Sequence, residues 1–112
     1  KVVVLSKYST KWGGNKDFTE GLISGSLKDN KDSGKTVAMY ASRHLYGTGM
    51  DWHSYMFYET WSDFAAFEES SYGAPMDEAA NKYWSSVTSH EDEILMWIGG
   101  IDEKTKLFYY AK

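Results

Sequence analysis

The stretch Thr36-Val37-Ala38-Met39-Tyr40-Ala41-Ser42-Arg43-His44-Leu45-Tyr46, then Gly47-Thr48-Gly49, then Met50 to Tyr58 decides the fold. Both arms are rich in aromatic, β-branched and other apolar residues, and the glycines between them mark a short turn, so the segment reads as a β-hairpin. Large apolar groups fill both alternation sets. One set holds Met39, Ala41, Leu45, Tyr55 and Phe57; the other holds Tyr40, Tyr46, Trp52, Met56 and Tyr58. A strand apolar on both sides is buried on both sides. Helices can cover one face. The economical cover for the other is a second copy of the chain, which predicts a homodimer packed sheet to sheet. The alternative is a monomer with an open aromatic face.

Upstream of the hairpin, Val2-Val3-Val4-Leu5-Ser6-Lys7-Tyr8 reads as a first strand, broken by Trp12-Gly13-Gly14-Asn15. Asp17-Phe18-Thr19-Glu20 has the layout of a capping box and opens a helix whose apolar stripe is Phe18, Leu22, Ile23 and Leu27. The polar run from Asn30 to Gly34 ends it. Downstream, Ser62 is the expected N-cap of a helix over Asp63 to Ser70, with Phe64 and Phe67 on one face. After Ser71-Tyr72-Gly73-Ala74-Pro75, a second helical period runs through Met76, Ala79, Ala80, Tyr83 and Val87, with Pro75 in its first turn. Glu93-Ile94-Leu95-Met96-Trp97-Ile98 is the fourth strand, stopped by Gly99-Gly100. Leu107-Phe108-Tyr109-Tyr110 adds a short edge strand. The order β-α-β-β-α-β predicts an α+β, ferredoxin-like antiparallel sheet with two helices on one face, in a single domain spanning 1–112.

The 112 residues suffice for one core. Hydrophobic residues are 42% and charged residues 25%, which places the chain among globular proteins. A net charge of -4 argues against a nucleic-acid surface, which needs a basic face. The absence of cysteine excludes disulfides, thiolate nucleophiles and cysteine-ligated metals, and fits a cytoplasmic location. No apolar run reaches the ~20 residues that span a bilayer, and no signal-peptide pattern opens the chain. Residue 1 is Lys rather than Met, so what preceded it is left open. Aromatics reach 17%, a composition suited to interfaces and ligand pockets. Arg43 is the one arginine among twelve basic residues.

Tyr58-Glu59-Thr60-Trp61-Ser62-Asp63-Phe64-Ala65-Ala66-Phe67-Glu68 resembles the signature segment of the antibiotic biosynthesis monooxygenase-like family, the dimeric α+β barrels, and the element order over residues 2–101 agrees with theirs. The resemblance implies a homodimer with a pocket between sheet and helices in each protomer. It also implies a range of activities, from oxidation of quinol-like or anthrone-like aromatics without metal or flavin to haem degradation. The family often has a His near the end of this helix. Ser70 stands there, which counts against haem ligation and against the usual acid–base role.

Arg43, in the middle of an apolar hairpin, needs an anionic partner. A turn at Gly47-Thr48-Gly49 sets Arg43 opposite His53, both facing the same way as Met39, Tyr55 and Phe57. Arg43 then reads as an anchor for a carboxylate or enolate, or else as an ion pair with Glu59 or an exposed strand end. His53 is the candidate general base and Trp61 the stacking partner of the substrate. The histidines His44, His53 and His90 match no ligand spacing, so no metal and no other cofactor is expected. Gly21 and Gly25 share the apolar side of the first helix, either for close packing or to leave space. If they leave space, Leu22, Met39, Tyr55, Phe57, Trp61, Phe64, Phe67 and Tyr83 line the cavity, and an apolar or amphipathic ligand fits it. Glu91-Asp92-Glu93 reads as a solvated turn.

Three functions follow as expectations. The first is a small-molecule-binding barrel protein that performs cofactor-free oxidation or proton transfer on a quinol-like aromatic. The second is a non-catalytic carrier or sensor of a fatty-acid-like ligand. The third is an interaction module with no cavity.

Overall fold

The computed structural model describes residues 1–46 and 49–110. Four strands, β1 (Val2–Thr10), β2 (Thr36–Arg43), β3 (Trp52–Tyr58) and β4 (Val87–Met96), form one antiparallel sheet in the order β2-β3-β1-β4. This is the ferredoxin-like order expected from the sequence. The helices α1 (Asn15–Gly21) and α2 (Lys28–Ser33), joined by a π-helical stretch Leu22–Leu27, follow β1; α3 (Trp61–Ser71) and α4 (Glu78–Ser86) follow β3. Gly99–Ile101 (β5) and Phe108–Tyr110 (β6) pair with each other in a separate hairpin, so the last segment is not an edge of the main sheet. No helix among the described residues is long and apolar enough to cross a membrane.

Strand alternation sorts the side chains. Val2, Val4, Ser6 and Tyr8 face the helices, together with Trp52, Ser54, Met56 and Tyr58 directly opposite them. Two clusters close that layer. Val2, Val4, Met56 and Tyr58 pack under Met39, Phe64 and Phe67; Tyr8, Phe18, Leu22 and Tyr83 pack with Leu27, Trp52 and Val87. The first helix meets α4 so closely that a Cβ on Gly21 would lie 2.4 Å from that of Tyr83. The Tyr58 hydroxyl donates to Asn30 Oδ1 at 3.1 Å, which also accepts from Thr36 Oγ1 at 2.8 Å, tying α2 to the sheet.

Several boundaries differ from expectation for local reasons. Helix α1 begins at Asn15 behind Gly14, so Asp17 sits in the first turn rather than at the cap. Thr60, not Ser62, caps α3: its Oγ1 accepts from Asp63 N at 3.1 Å and donates to the Asp63 carboxylate at 3.0 Å. Asp77 caps α4, accepting from Ala80 N at 2.8 Å, and Pro75 stays outside the helix. The π-helical stretch left no mark in the sequence pattern, because its apolar spacing fits an ordinary helix as well.

The hairpin register is the consequential correction. Arg43 pairs with Trp52, and His53 pairs with Ser42. The strands end at Arg43 and Trp52, with His44 N donating to Asp51 O at 2.7 Å, so the connection is longer than a three-residue turn. Its centre falls half a residue away from the expected place. Gly47 and Thr48, the heart of the expected turn, lie outside the described residues. A one-residue change of pairing moves every partner to the opposite face. Met39 and Arg43 therefore share the helix side with Trp52 and Met56, while Tyr40 shares the open side with His53, Tyr55 and Phe57.

Candidate ligand cleft and its polar wall

A cleft of about 600 Å³ lies between the helices and the sheet. Its apolar walls are Tyr8 and Met56 from the sheet, Phe67 from α3, and Tyr83 and Trp84 from α4. Gly25 and Ser26 of the π-helical stretch form its roof, with Asp29, Asn30 and Asp32 beyond them. A Cβ on Gly25 would meet nothing within 4 Å. The two expected roles of the helix glycines are thus divided, Gly21 for close packing and Gly25 for space. The π geometry matters here, since an extra residue per turn widens the helix where the cleft opens.

Within the cleft one group is left over. Tyr83 is 5% exposed, and its hydroxyl has no hydrogen-bond partner among the described residues. Burial, then the neighbouring Tyr8 and Asp92, pushes its pKa far up, so the hydroxyl stays protonated. A buried polar group without a partner is rare enough to need an explanation, and an absent ligand atom is one.

Behind Tyr8 stands a polar arrangement on β1 and β4. Ser6 Oγ donates to Asp92 Oδ1 at 2.5 Å, and His90 Nε2 lies 2.8 Å from the same oxygen. A carboxylate only accepts, so Nε2 carries a hydrogen at this contact. The His90 ring stacks on Tyr8 at 4.6 Å and lies 5.3 Å from Trp84, both of them cleft residues. Glu68 on α3 is held above the usual carboxylate range by burial and then by the charge of Asp92.

The expected site residues are scattered. Phe67 and Tyr83 line the cleft; Leu22, Met39 and Phe64 pack in the adjoining core. Tyr55, Phe57 and His53 lie on the opposite side of the sheet. Arg43 is exposed, its guanidinium 5.4 Å from the Trp52 ring centre, and Trp61 is 61% exposed at the start of α3. Within one protomer the structure does not bring His53, Arg43 and Trp61 together. Ser6, Tyr8, Trp84, His90 and Asp92 are not among the expected site residues, and for His90 and Asp92 the reason is that the charged run Glu91-Asp92-Glu93 reads as a turn. It is mid-strand, with Asp92 toward the helices and Glu93 on the other side bonded to Lys7 at 3.1 Å. Reading β4 from Val87 would have put His90, Asp92, Ile94 and Met96 on one face.

No protein-family model matches the sequence, and no curated protein matches it. Solved structures do match. A NIPSNAP domain protein from Burkholderia xenovorans superposes with a TM-score of 0.65 at 16% identity, covering 86% of this chain and 93% of that one. SnoaB, a cofactor-independent oxygenase from Streptomyces nogalater, gives 0.64 at 8% identity over 85% and 90% of the two chains. A variant of MhuD with two manganese protoporphyrin IX molecules per active site gives 0.62 at 13% identity over 86% and 93%. The chain has the fold of the NIPSNAP and antibiotic biosynthesis monooxygenase-like proteins. At these identities the likeness is one of fold.

Ser70, at the position where this monooxygenase-like family often has His, lines the cleft and donates to Phe67 O at 2.7 Å. A haem iron would need an axial donor. Among the described residues the cleft lining holds no His, and Tyr83 is held protonated, which leaves Tyr8 and the Met56 sulfur as its other donors. This donor set lacks the histidine that holds iron in globins and peroxidases.

Proposed function

We propose that the protein binds a small, flat, largely apolar molecule in this cleft, and that its chemistry is cofactor-free oxidation or proton transfer on an activated, quinol-like aromatic. The observation that carries the reading is the unpartnered Tyr83 hydroxyl in an aromatic-walled cleft left open above Gly25. We assign the proton to His90 rather than His53. Asp92 holds its Nε2, and its ring stacks on a cleft residue, whereas His53 lies on the other side of the sheet. The working unit we propose is a homodimer closed over the open sheet face. Tyr40 there is 61% exposed, and the radius of gyration of 15.3 Å exceeds the about 13 Å usual for this length. The fatty-acid-carrier reading loses its anchor, because Arg43 does not line the cleft.

The test is a fluorescence titration with a hydroquinone, using the tryptophans as reporters. Gly25→Leu fills the open space and is expected to weaken binding at least ~10-fold with the circular dichroism unchanged. Equal binding by wild type and Gly25→Leu would remove the cleft from consideration. Oxygen uptake with the same compound is expected to fall ~10²-fold in His90→Gln and to persist in His53→Gln.

A further inference from the structure

Deepening that reading, we infer that the cleft selects its ligand by charge, taking a neutral aromatic that presents a carbonyl-type acceptor to Tyr83 and refusing the same ring bearing a carboxylate. The inference starts from the hydroxyl. Tyr83 is buried and lines the cleft, and with the Tyr8 side chain beside it its hydroxyl makes no hydrogen bond to any described residue, so an acceptor on the ligand would satisfy it. A quinone, anthrone or similar carbonyl supplies one without charge.

The surroundings decide the sign. Among the described residues, the ionisable ones that line the cleft besides Tyr8 and Tyr83 are Asp29 and Asp32, with no Lys, Arg or His. Lys28 is bound by Asp32 and also feels Asp29, so a single ammonium stands against the two carboxylates and leaves the rim with net negative charge. Behind the aromatic wall stands a further carboxylate, Asp92, half exposed and bonded to Ser6 and His90. The next groove, which shares Gly21, carries Asp17, Glu20, Asp77 and Glu78 against the single cation Lys82. A carboxylate entering here leaves water and meets carboxylates, with no cation among the described lining residues to receive it. Like charges at such a site are costly, because the partly dry cleft screens them less than bulk water does. A neutral carbonyl avoids that cost and still accepts from Tyr83.

Two ligands of one ring system test this in parallel: a naphthoquinone and the same naphthoquinone carrying a carboxylate, titrated at low ionic strength. The neutral quinone is expected to bind at least ~10-fold more tightly, and added salt to narrow the gap. Asp29→Asn should narrow it ~3-fold or more, chiefly by improving the carboxylate. Tyr83→Phe, which removes the hydroxyl while keeping the ring, should weaken the quinone ~10-fold and leave naphthalene binding unchanged. Equal affinity for the two quinones, or a preference for the carboxylate, overturns charge selection and leaves cleft binding standing. Binding of neither overturns both this inference and the reading on which it rests.

Discussion

The two faces of the sheet have similar composition and different fates. On the helix side the large groups are enclosed: Tyr58 is 0% exposed between Phe64 and Phe67, and its hydroxyl is satisfied by Asn30. On the other side Tyr55 and Phe57 meet Tyr40 and Trp97, and the layer ends there in Tyr40 at 61% and Leu95 at 42% exposed. Val3 and Leu5 stand beside Phe57 and Tyr55 on that side, and Lys7 bonded to Glu93 follows them. One face is closed by its own chain and the other only begun. The difference teaches that alternation reveals how apolar a face is, and says nothing of which chain covers it.

Substitutions on the two faces should therefore fail in different ways. The largest effect is expected from Tyr58→Ala, which empties a fully enclosed site and should cost about 3–5 kcal/mol in urea unfolding. A loss below about 1 kcal/mol would mean the helix layer is not the core. Tyr40→Asp, on the open side, should leave the fold intact and weaken self-association ~10-fold or more, read as mass against concentration in light scattering. An unchanged dimer after that substitution would move the interface elsewhere, and a monomeric wild type would dispose of the dimer altogether.

Much of the fold was legible because the β-branched run at Val2–Leu5, the aromatic hairpin and the two short helical periods each signal their type locally. The site was less legible, for two physical reasons. A sheet register has a period of two, so a half-residue error in placing the centre of the Arg43–Trp52 connection put Arg43 and His53 on one face when they occupy opposite ones. In β4 the charged run Glu91-Asp92-Glu93 masked a strand, because an edge strand tolerates charge on either side and loses its alternation signal. Phe67, Tyr83 and Gly25 were found because a helix shows its buried side in sequence spacing. His90 and Asp92 come together with Ser6 and Tyr8 only through pairing of β1 with β4, more than eighty residues apart in sequence.

The smallest expected effect sharpens the comparison electrostatically. Glu68, on the helix side, is held above the ordinary carboxylate range by burial first and by Asp92 second. Between the ordinary value and the raised one, the folded chain binds more protons than the unfolded chain, so stability falls as pH rises through that window. Above it the ionised carboxylate is a standing cost. Glu68 is exposed to solvent over part of its surface, so Glu68→Gln should raise the melting temperature by no more than about 1–2 °C at pH 7, the gain shrinking as pH falls through the raised range. Glu93→Gln on the open side breaks an exposed pair with Lys7, and such pairs contribute about 0–1 kcal/mol, so it should not raise stability at pH 7. Paired melts at the two pH values separate these outcomes. A Glu68→Gln protein that melts lower at pH 7 would show that the carboxylate is held by favourable contacts, and the negative field assigned to this side of the sheet would have to be abandoned.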